Sequence, residues 1–295
     1  MLTAIIAVTL SAPDLDATEA AYAQRLNYHV VDRGSVSTDL ALAWGAPLSE
    51  GRRYVLMQPA SGAETYLRIV QSPVTPGFEA MKSWGWNSNE ILVQDVDALA
   101  VQLQGSPFKI IGAPRPLATS SNVRAMQVIG PAGEVNYLTC IPPGGGTFIK
   151  TSAQSFVDRT FIVVLGGASI ESMRTFYHEQ LSLKVTPAYS STVQVLRNAW
   201  KLPPDWQTSM ALAQISPGFL IELDQYPAAA RMRPQRVGDL PPGMAIVSFA
   251  VADLARVQVP WLIAPTKHTA APYSGRRAGL IRGAAGELIE LIETR

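Results

Sequence analysis

The chain has 295 residues, 47% of them hydrophobic and 16% charged, with a formal net charge of +1. This is ample material for a core and excludes a disordered chain; with no run of clustered Lys and Arg to displace counterions, it also excludes a nucleic-acid partner. A single cysteine, Cys140, rules out an internal disulfide and a thiolate metal cluster, and its apolar surroundings read as those of a buried, inert thiol.

The apolar run Thr3 to Leu10 has no Lys or Arg before it, unlike a signal peptide, and is far shorter than the ~20 residues that cross a membrane. It reads as the first strand of a soluble, cytoplasmic protein with no membrane partner. A helix follows over DLDATEAAYAQRLNY. Asp14 and Asp16 mark its start, and Leu15, Ala21, Tyr22 and Leu26 recur at helical spacing. Strands come next at His29–Val36, Tyr54–Pro59 and Thr65–Gln71, separated by Gly, Pro and Ser clusters. The order then begins again: a strand over Glu90–Val93, a helix over 95–104, and strands at Phe108–Ile111, Val123–Ile129 and Glu134–Ile141.

The second half repeats the first. Arg124, Ala125, Gly130, Ala132, Gly133, Glu134 and Leu138 recur 153 positions later as Arg277, Ala278, Gly283, Ala285, Gly286, Glu287 and Leu291. GFLIELDQYP (218–227) aligns with ETYLRIVQSP (64–73) at an offset of 154. RTFIVVLG leads into a helix over SIESMRTFYHEQL. The last quarter holds a strand at Ala245–Val251, a helix of about two turns beginning near Asp253, and strands ending at Glu293. Linkers fall at 74–87, 142–158 and 228–242. The triple glycine in the middle one marks the boundary between a domain over 1–145 and a domain over 156–295.

Four strand–helix–strand–strand–strand units in this order resemble the vicinal oxygen chelate superfamily, which includes glyoxalase I, extradiol dioxygenases and bleomycin-resistance proteins. The residues that carry the resemblance are APDLDATEAAYAQRL, ASIESMRTFYHEQL, EILVQDVDAL and the closing turns PAGEVNYL and AAGELIEL, which together extend over almost the whole chain. The resemblance implies an α+β fold of four βαβββ units. Consecutive units would pair into two domains, each with a curved mixed sheet closing as a cup around a small organic molecule. It also implies, in metal-bearing members, one ligand on the first strand and one on the last strand of each unit. In the first half those positions are Ala7, Arg68, Ser88 and Tyr137, an implausible metal set because Arg is a permanent cation. In the second half they are Ile162, Glu222, Ile246 and Glu290, two carboxylates and two aliphatic residues.

Two readings follow. In the first, Glu222 and Glu290 face one carboxyl-terminal cup and share a proton as a catalytic pair of a lyase or isomerase, with or without a weakly held divalent metal. In the second, the protein is a metal-independent binding or sequestration protein, in which Arg68 clamps an anionic group and Tyr137 donates a hydrogen bond in the amino-terminal cup. A purely structural role for the first half is a third, blander option. His268, in the polar loop PTKHTAAPYSGRR, is a candidate ligand-binding or acid–base residue. Trp84 and Trp86 are expected to pin a linker. No metal or other cofactor is certain. A small molecule is the expected partner, and homo-oligomers are compatible with the pattern.

Overall fold

The computed structural model describes residues 2–117, 120–145, 149 and 151–294, and it shows the four units in the expected order. The first has strand β1 (Leu2–Ala12), helix α1 (Leu15–Leu26), β2 (His29–Ser35), an inserted helix α2 (Thr38–Ala43), β3 (Arg53–Gln58) and β4 (Tyr66–Gln71). The second has β5 (Gly85–Val93), α3 (Val96–Gln102), β6 (Lys109–Leu117), β7 (Ser120–Ile129) and β8 (Val135–Cys140). The third has β9 (Val157–Gly167), α4 (Ile170–Thr175), β10 (Lys184–Val185), β11 (Tyr189–Ser191), α5 (Gln194–Trp200), β12 (Thr208–Ser216) and β13 (Phe219–Gln225). The fourth has β14 (Gly243–Val251), β15 (Ile263–Lys267), β16 (Arg277–Arg282) and β17 (Leu288–Glu293).

The helices begin where short polar side chains satisfy free backbone N–H groups. Asp14 accepts from the Ala17 N–H at 2.9 Å, Asp95 from Ala98 at 2.9 Å, and Ser169 from Ser172 at 3.2 Å. α4 continues as a π-helical turn over Phe176–Gln180. In the fourth unit the expected helix of two turns is cut to a 3₁₀ turn at Leu254–Arg256, capped by Asp253 and followed by Pro260, which has no N–H for a longer helix.

The pairing of units departs from the expectation. One eight-stranded sheet runs β15-β16-β17-β14-β1-β4-β3-β2, so it joins the fourth unit to the first. A nine-stranded sheet joins the second to the third, with the path β10-β12-β13-β9-β5-β8-β7-β6 and β11 alongside β12. In each sheet the first strands of two units meet antiparallel, β1 with β14 and β5 with β9. The closing strands lie outside them in parallel, β4 on β1, β17 on β14, β8 on β5 and β13 on β9. The two cups are therefore not the segments 1–145 and 156–295: each takes one unit from each half. The cause is the exposed edge that every first strand presents. Four similar units offer four such edges, and an edge must be paired or covered.

One apolar cluster lines each cup, and a third binds the outer faces of both sheets to the helices. Two buried polar links cross from unit to unit in this third cluster. The Tyr22 hydroxyl on α1 donates to Glu134 Oε1 at 2.8 Å, in the turn that closes the second unit. The Tyr177 hydroxyl donates to Glu287 Oε1 at 2.8 Å, in the turn that closes the fourth. Each glutamate also accepts from the backbone two residues back, at Ala132 and Ala285. A Cβ at Gly130 or Gly283 would meet that carboxylate at 1.9 Å, which is why both copies keep glycine. Agreement between the repeats therefore marks packing. Arg124 and Arg277 fit the same pattern, paired with Asp97 and Glu293 at the surface.

Candidate functional site

Arg68 and Glu290 meet at the centre of the eight-stranded cup. Arg68 stands beside Thr9 across β4 and β1, and Glu290 beside Ser248 across β17 and β14. The guanidinium donates to Thr9 Oγ1 at 3.0 Å, to the Tyr273 hydroxyl at 2.7 Å and to Glu290 Oε2 at 3.2 Å. Glu290 accepts further bonds from the Tyr273 and Ser248 hydroxyls, and the Trp44 indole N–H reaches the Tyr273 oxygen at 3.0 Å. The Trp44 ring lies 4.4 Å from the guanidinium carbon, close enough for a cation–π contact. Arg68, Trp44, Tyr273 and Glu290 are at most 2% exposed.

Two insertions supply this filling. α2, capped by Ser37, delivers Trp44, and the loop after β15 delivers Tyr273. His268 belongs to the same plug. Its ring lies 5.0 Å from that of Tyr273, its Nε2 is 3.0 Å from Thr266 Oγ1, and burial pushes its pKa below the ordinary histidine value. It is buried in the closed cup and does not line the cavity of the other.

The nine-stranded cup is open. It holds a cavity of about 410 Å³ lined by Leu212, Ile162, Phe161, Val195 and similar apolar residues, with Glu90, Tyr137 and Glu222 among them. Cavities of this size suit a small organic molecule with few polar anchors. β11 and α5, absent from the sequence reading, form one wall through Tyr189 and Val195, and Arg115 on β6 lies at the rim.

Its polar groups follow from strand register. Tyr137 on β8 stands beside Glu90 on β5, which stands across from Ile162 on β9. One step along, Glu222 on β13 is beside Val164, which faces Ser88. Asp224 lies one further alternation along the same face, opposite Gly166. A Cβ at Gly166 would strike the Tyr226 ring at 2.4 Å, so the glycine makes room for that tyrosine beside Asp224.

Glu90 accepts from Thr139 Oγ1 at 2.6 Å, while both oxygens of Asp224 and the hydroxyls of Tyr137 and Tyr226 are buried without a hydrogen-bond partner. Among the described residues none of the three acids forms an ion pair. Burial pushes the Glu90 carboxyl up to about 7, against the Thr139 hydrogen bond. Burial, and then the charge of Glu90, brings Asp224 to about 7. Glu222 is driven well above the usual carboxylate range by burial, then by Asp224 and Glu90. Tyr137 stays a protonated donor, because burial and the charges of Asp224 and Glu222 raise its pKa further.

The expected pair Glu222 and Glu290 is thus divided between two sheets and cannot share a proton or a metal. Arg68 and Tyr137 are divided likewise. The structure brings together Arg68 with Glu290, and Tyr137 with Glu222. Residues beside the closing-strand positions are Thr9, Glu90, Val164 and Ser248, each two residues beyond the first-strand positions expected from sequence. That shift of one alternation along the strand hid Glu90, because β5 is buried throughout and offers no alternation to set its register. Asp224 was legible as a face-mate of Glu222, but nothing marked it as functional.

Neither cup has the donors for the divalent metal that the fold implies. In one, a guanidinium holds the glutamate; in the other, no histidine accompanies the acids. Among the described residues, no three His, Cys, Asp or Glu side chains converge to hold an ion. Cys140, half-buried at the end of β8, bonds the Gln94 carbonyl and lies outside the cup. Trp86 is a strand residue rather than a linker residue, and its indole N–H donates to the Leu288 carbonyl at 2.7 Å, tying the two sheets together. No described helix is long and apolar enough to cross a membrane.

At the level of sequence, no protein-family model and no curated protein matches the chain. Solved structures match its fold. Glyoxalase I from Zea mays superposes with a TM-score of 0.65 at 14% identity, covering 98% of this chain and 92% of that one. A dioxygenase candidate from Bacillus subtilis gives 0.61 at 10% identity, covering 99% of this chain and 85% of that one. The chain has the two-domain fold of these two proteins.

Proposed function

We propose that this protein binds a small organic molecule in the nine-stranded cup without a metal, and that the eight-stranded cup is its closed structural counterpart. The observation that carries this reading is the contrast between equivalent positions. Where one cup spends Arg68 and Glu290 on each other, the other leaves Tyr137 and Glu222 facing a cavity of about 410 Å³. A buried hydroxyl without a partner loses its hydrogen bond to water and gains none, a cost that a ligand acceptor removes.

A thermal-shift screen of a metabolite library tests the reading. Compounds that stabilise the wild type are expected to lose their effect in Leu212→Trp and Val123→Phe, which fill the cavity, and to keep it in the presence of a chelator. Hits that persist in both filled variants place the ligand elsewhere and overturn the proposal.

A second reading is proton-transfer catalysis on the bound molecule, favoured by the Glu90 carboxyl at about 7, where a group can both give and accept a proton at neutral pH. Mass spectrometry of each hit after incubation separates the two. Conversion that Glu90→Gln abolishes without loss of binding makes the protein an enzyme, and unchanged hits leave it a binding protein.

A further inference from the structure

The cavity has apolar walls and an acidic floor. Glu90 and Glu222 line it directly, and Asp224 lies behind Glu222 on the same strand face. Among the described residues, the titratable groups that face this trio are the hydroxyls of Tyr137 from β8, Tyr226 just after β13 and Tyr189 from β11, and the buried Arg233 guanidinium faces Tyr226. β9 contributes only Ile162 and Val164 beside them. The lining cation among the described residues, Arg115, is exposed at the rim and bonds the Gln194 side chain. A carboxylate taken out of water without a counter-charge is costly, and proteins neutralise it by a proton or a partner. Buried Glu90 and Asp224, with half-buried Glu222 beside them, are the one group of enclosed acids in the described residues that has neither an ion pair nor a full set of hydrogen bonds. Glu134 and Glu287 are satisfied by tyrosine and backbone donors, and Glu290 by Arg68.

Two further observations point to a ligand and not merely to an acid cluster. The Tyr137 hydroxyl, on a residue 7% exposed, lines the cavity with no partner, and both Asp224 oxygens are orphaned at 1% exposure. The walls that Tyr137, Tyr189 and Phe161 provide are aromatic, and such faces attract cations.

Resting on the reading of the nine-stranded cup as the binding site, we propose that its ligand is an amphiphilic organic cation, an apolar body of one or two rings bearing a protonated amine. The amine faces Glu90 and Glu222, the apolar body fills the space between Phe161, Ile162 and Leu212, and the Tyr137 hydroxyl oxygen accepts from the ammonium. The ammonium takes the place of protons that the carboxyls otherwise hold, and those protons pass to the solvent.

The test uses isothermal titration of the full chain with two matched sets: 4-phenylbutylamine, 4-phenylbutanol and 4-phenylbutyrate; and tryptamine, tryptophol and indole-3-acetate. At about pH 8 the amine of at least one set is expected to bind about tenfold or more tightly than its alcohol, with the carboxylate weakest. The preference should shrink to within about threefold in Glu90→Gln/Glu222→Gln, while the alcohol's affinity is retained, which also reports that the variant is folded. Amine affinity should rise from about pH 6 to about pH 8 as the acids ionise, with proton release read from buffers of different ionisation heat. An alcohol or carboxylate that binds as tightly as its amine, or amines that do not bind in the cup at all, overturns the charge assignment. In that case a neutral or anionic library hit lost in Leu212→Trp would leave the cup as the binding site, whereas the absence of any cup-dependent hit would remove the binding reading itself.

Discussion

Arg68 and Glu290 lie 222 positions apart in the chain and 3.2 Å apart inside the eight-stranded cup. A charge of each sign, both almost free of solvent, is held there by the hydroxyls of Thr9, Ser248 and Tyr273 and by the face of the Trp44 ring. The corresponding pair in the other cup, Glu222 and Tyr137, has no such mutual satisfaction. One duplicated frame has thus been closed at one site and left open at the other.

The closed site should behave as a coupled unit. Arg68→Met strands the Glu290 charge and is expected to cost about 3–5 kcal/mol in urea unfolding. Adding Glu290→Gln removes the stranded charge and should recover at least half of that loss. An additive double variant would show that the two residues do not depend on each other.

Asp224 gives a pH dependence with a definite sign. Its carboxyl is raised to about 7 in the fold, from an ordinary value of 3.8, by burial and then by Glu90. Between those values the folded protein holds a proton that the unfolded chain has released. The resulting stability is complete below the ordinary value and is lost as pH rises through about 7. Asp224→Asn should therefore lose about 1–3 kcal/mol less than the wild type between about pH 5 and pH 8, measured by denaturant unfolding at both.

Tyr137→Phe removes a buried hydroxyl that has no partner in the free protein. It is expected to raise the stability of the unliganded protein by about 1 kcal/mol, and to weaken a cavity ligand by a similar or larger amount. Lower stability in calorimetry, with ligand affinity unchanged, would mean that the hydroxyl is already satisfied in the free cup.

His268 should matter to folding and not to the cavity. His268→Ala removes its contacts with Tyr273 and Thr266 and is expected to cost about 1–2 kcal/mol. The affinity of any ligand of the nine-stranded cup should stay within about twofold of the wild type, because the residue lies in the loop that follows β15 of the other sheet. A large affinity change would restore it as a site residue.

Much of the local structure was legible because its causes are local. Asp14, Asp95 and Ser169 announce helix starts, and alternation along residues 220–224 announces the shared face of Leu220, Glu222 and Asp224. The equivalence of Tyr137 with Glu290 and of Arg68 with Glu222 was legible from the repeat itself. The inserted elements were not: α2 and α5 are six and seven residues long, and their apolar residues cover too few turns to establish a period. Glu90 was missed because a first strand buried throughout, with even its Asn and Ser enclosed, shows no alternation from which to set register.

The sequence by itself determined four βαβββ units, their order and the positions at which the copies disagree, since capping, periodicity and turn glycines act over a few residues. Only the tertiary structure decided which units share a sheet. Every first strand offers a similar antiparallel edge, so local chemistry does not distinguish β14 from β5 as the partner of β1. That choice placed Arg68 against Glu290, closing one cup on itself, and left Tyr137, Glu90 and Glu222 around a cavity in the other. The site is a consequence of long-range pairing, and long-range pairing has no short-range signature.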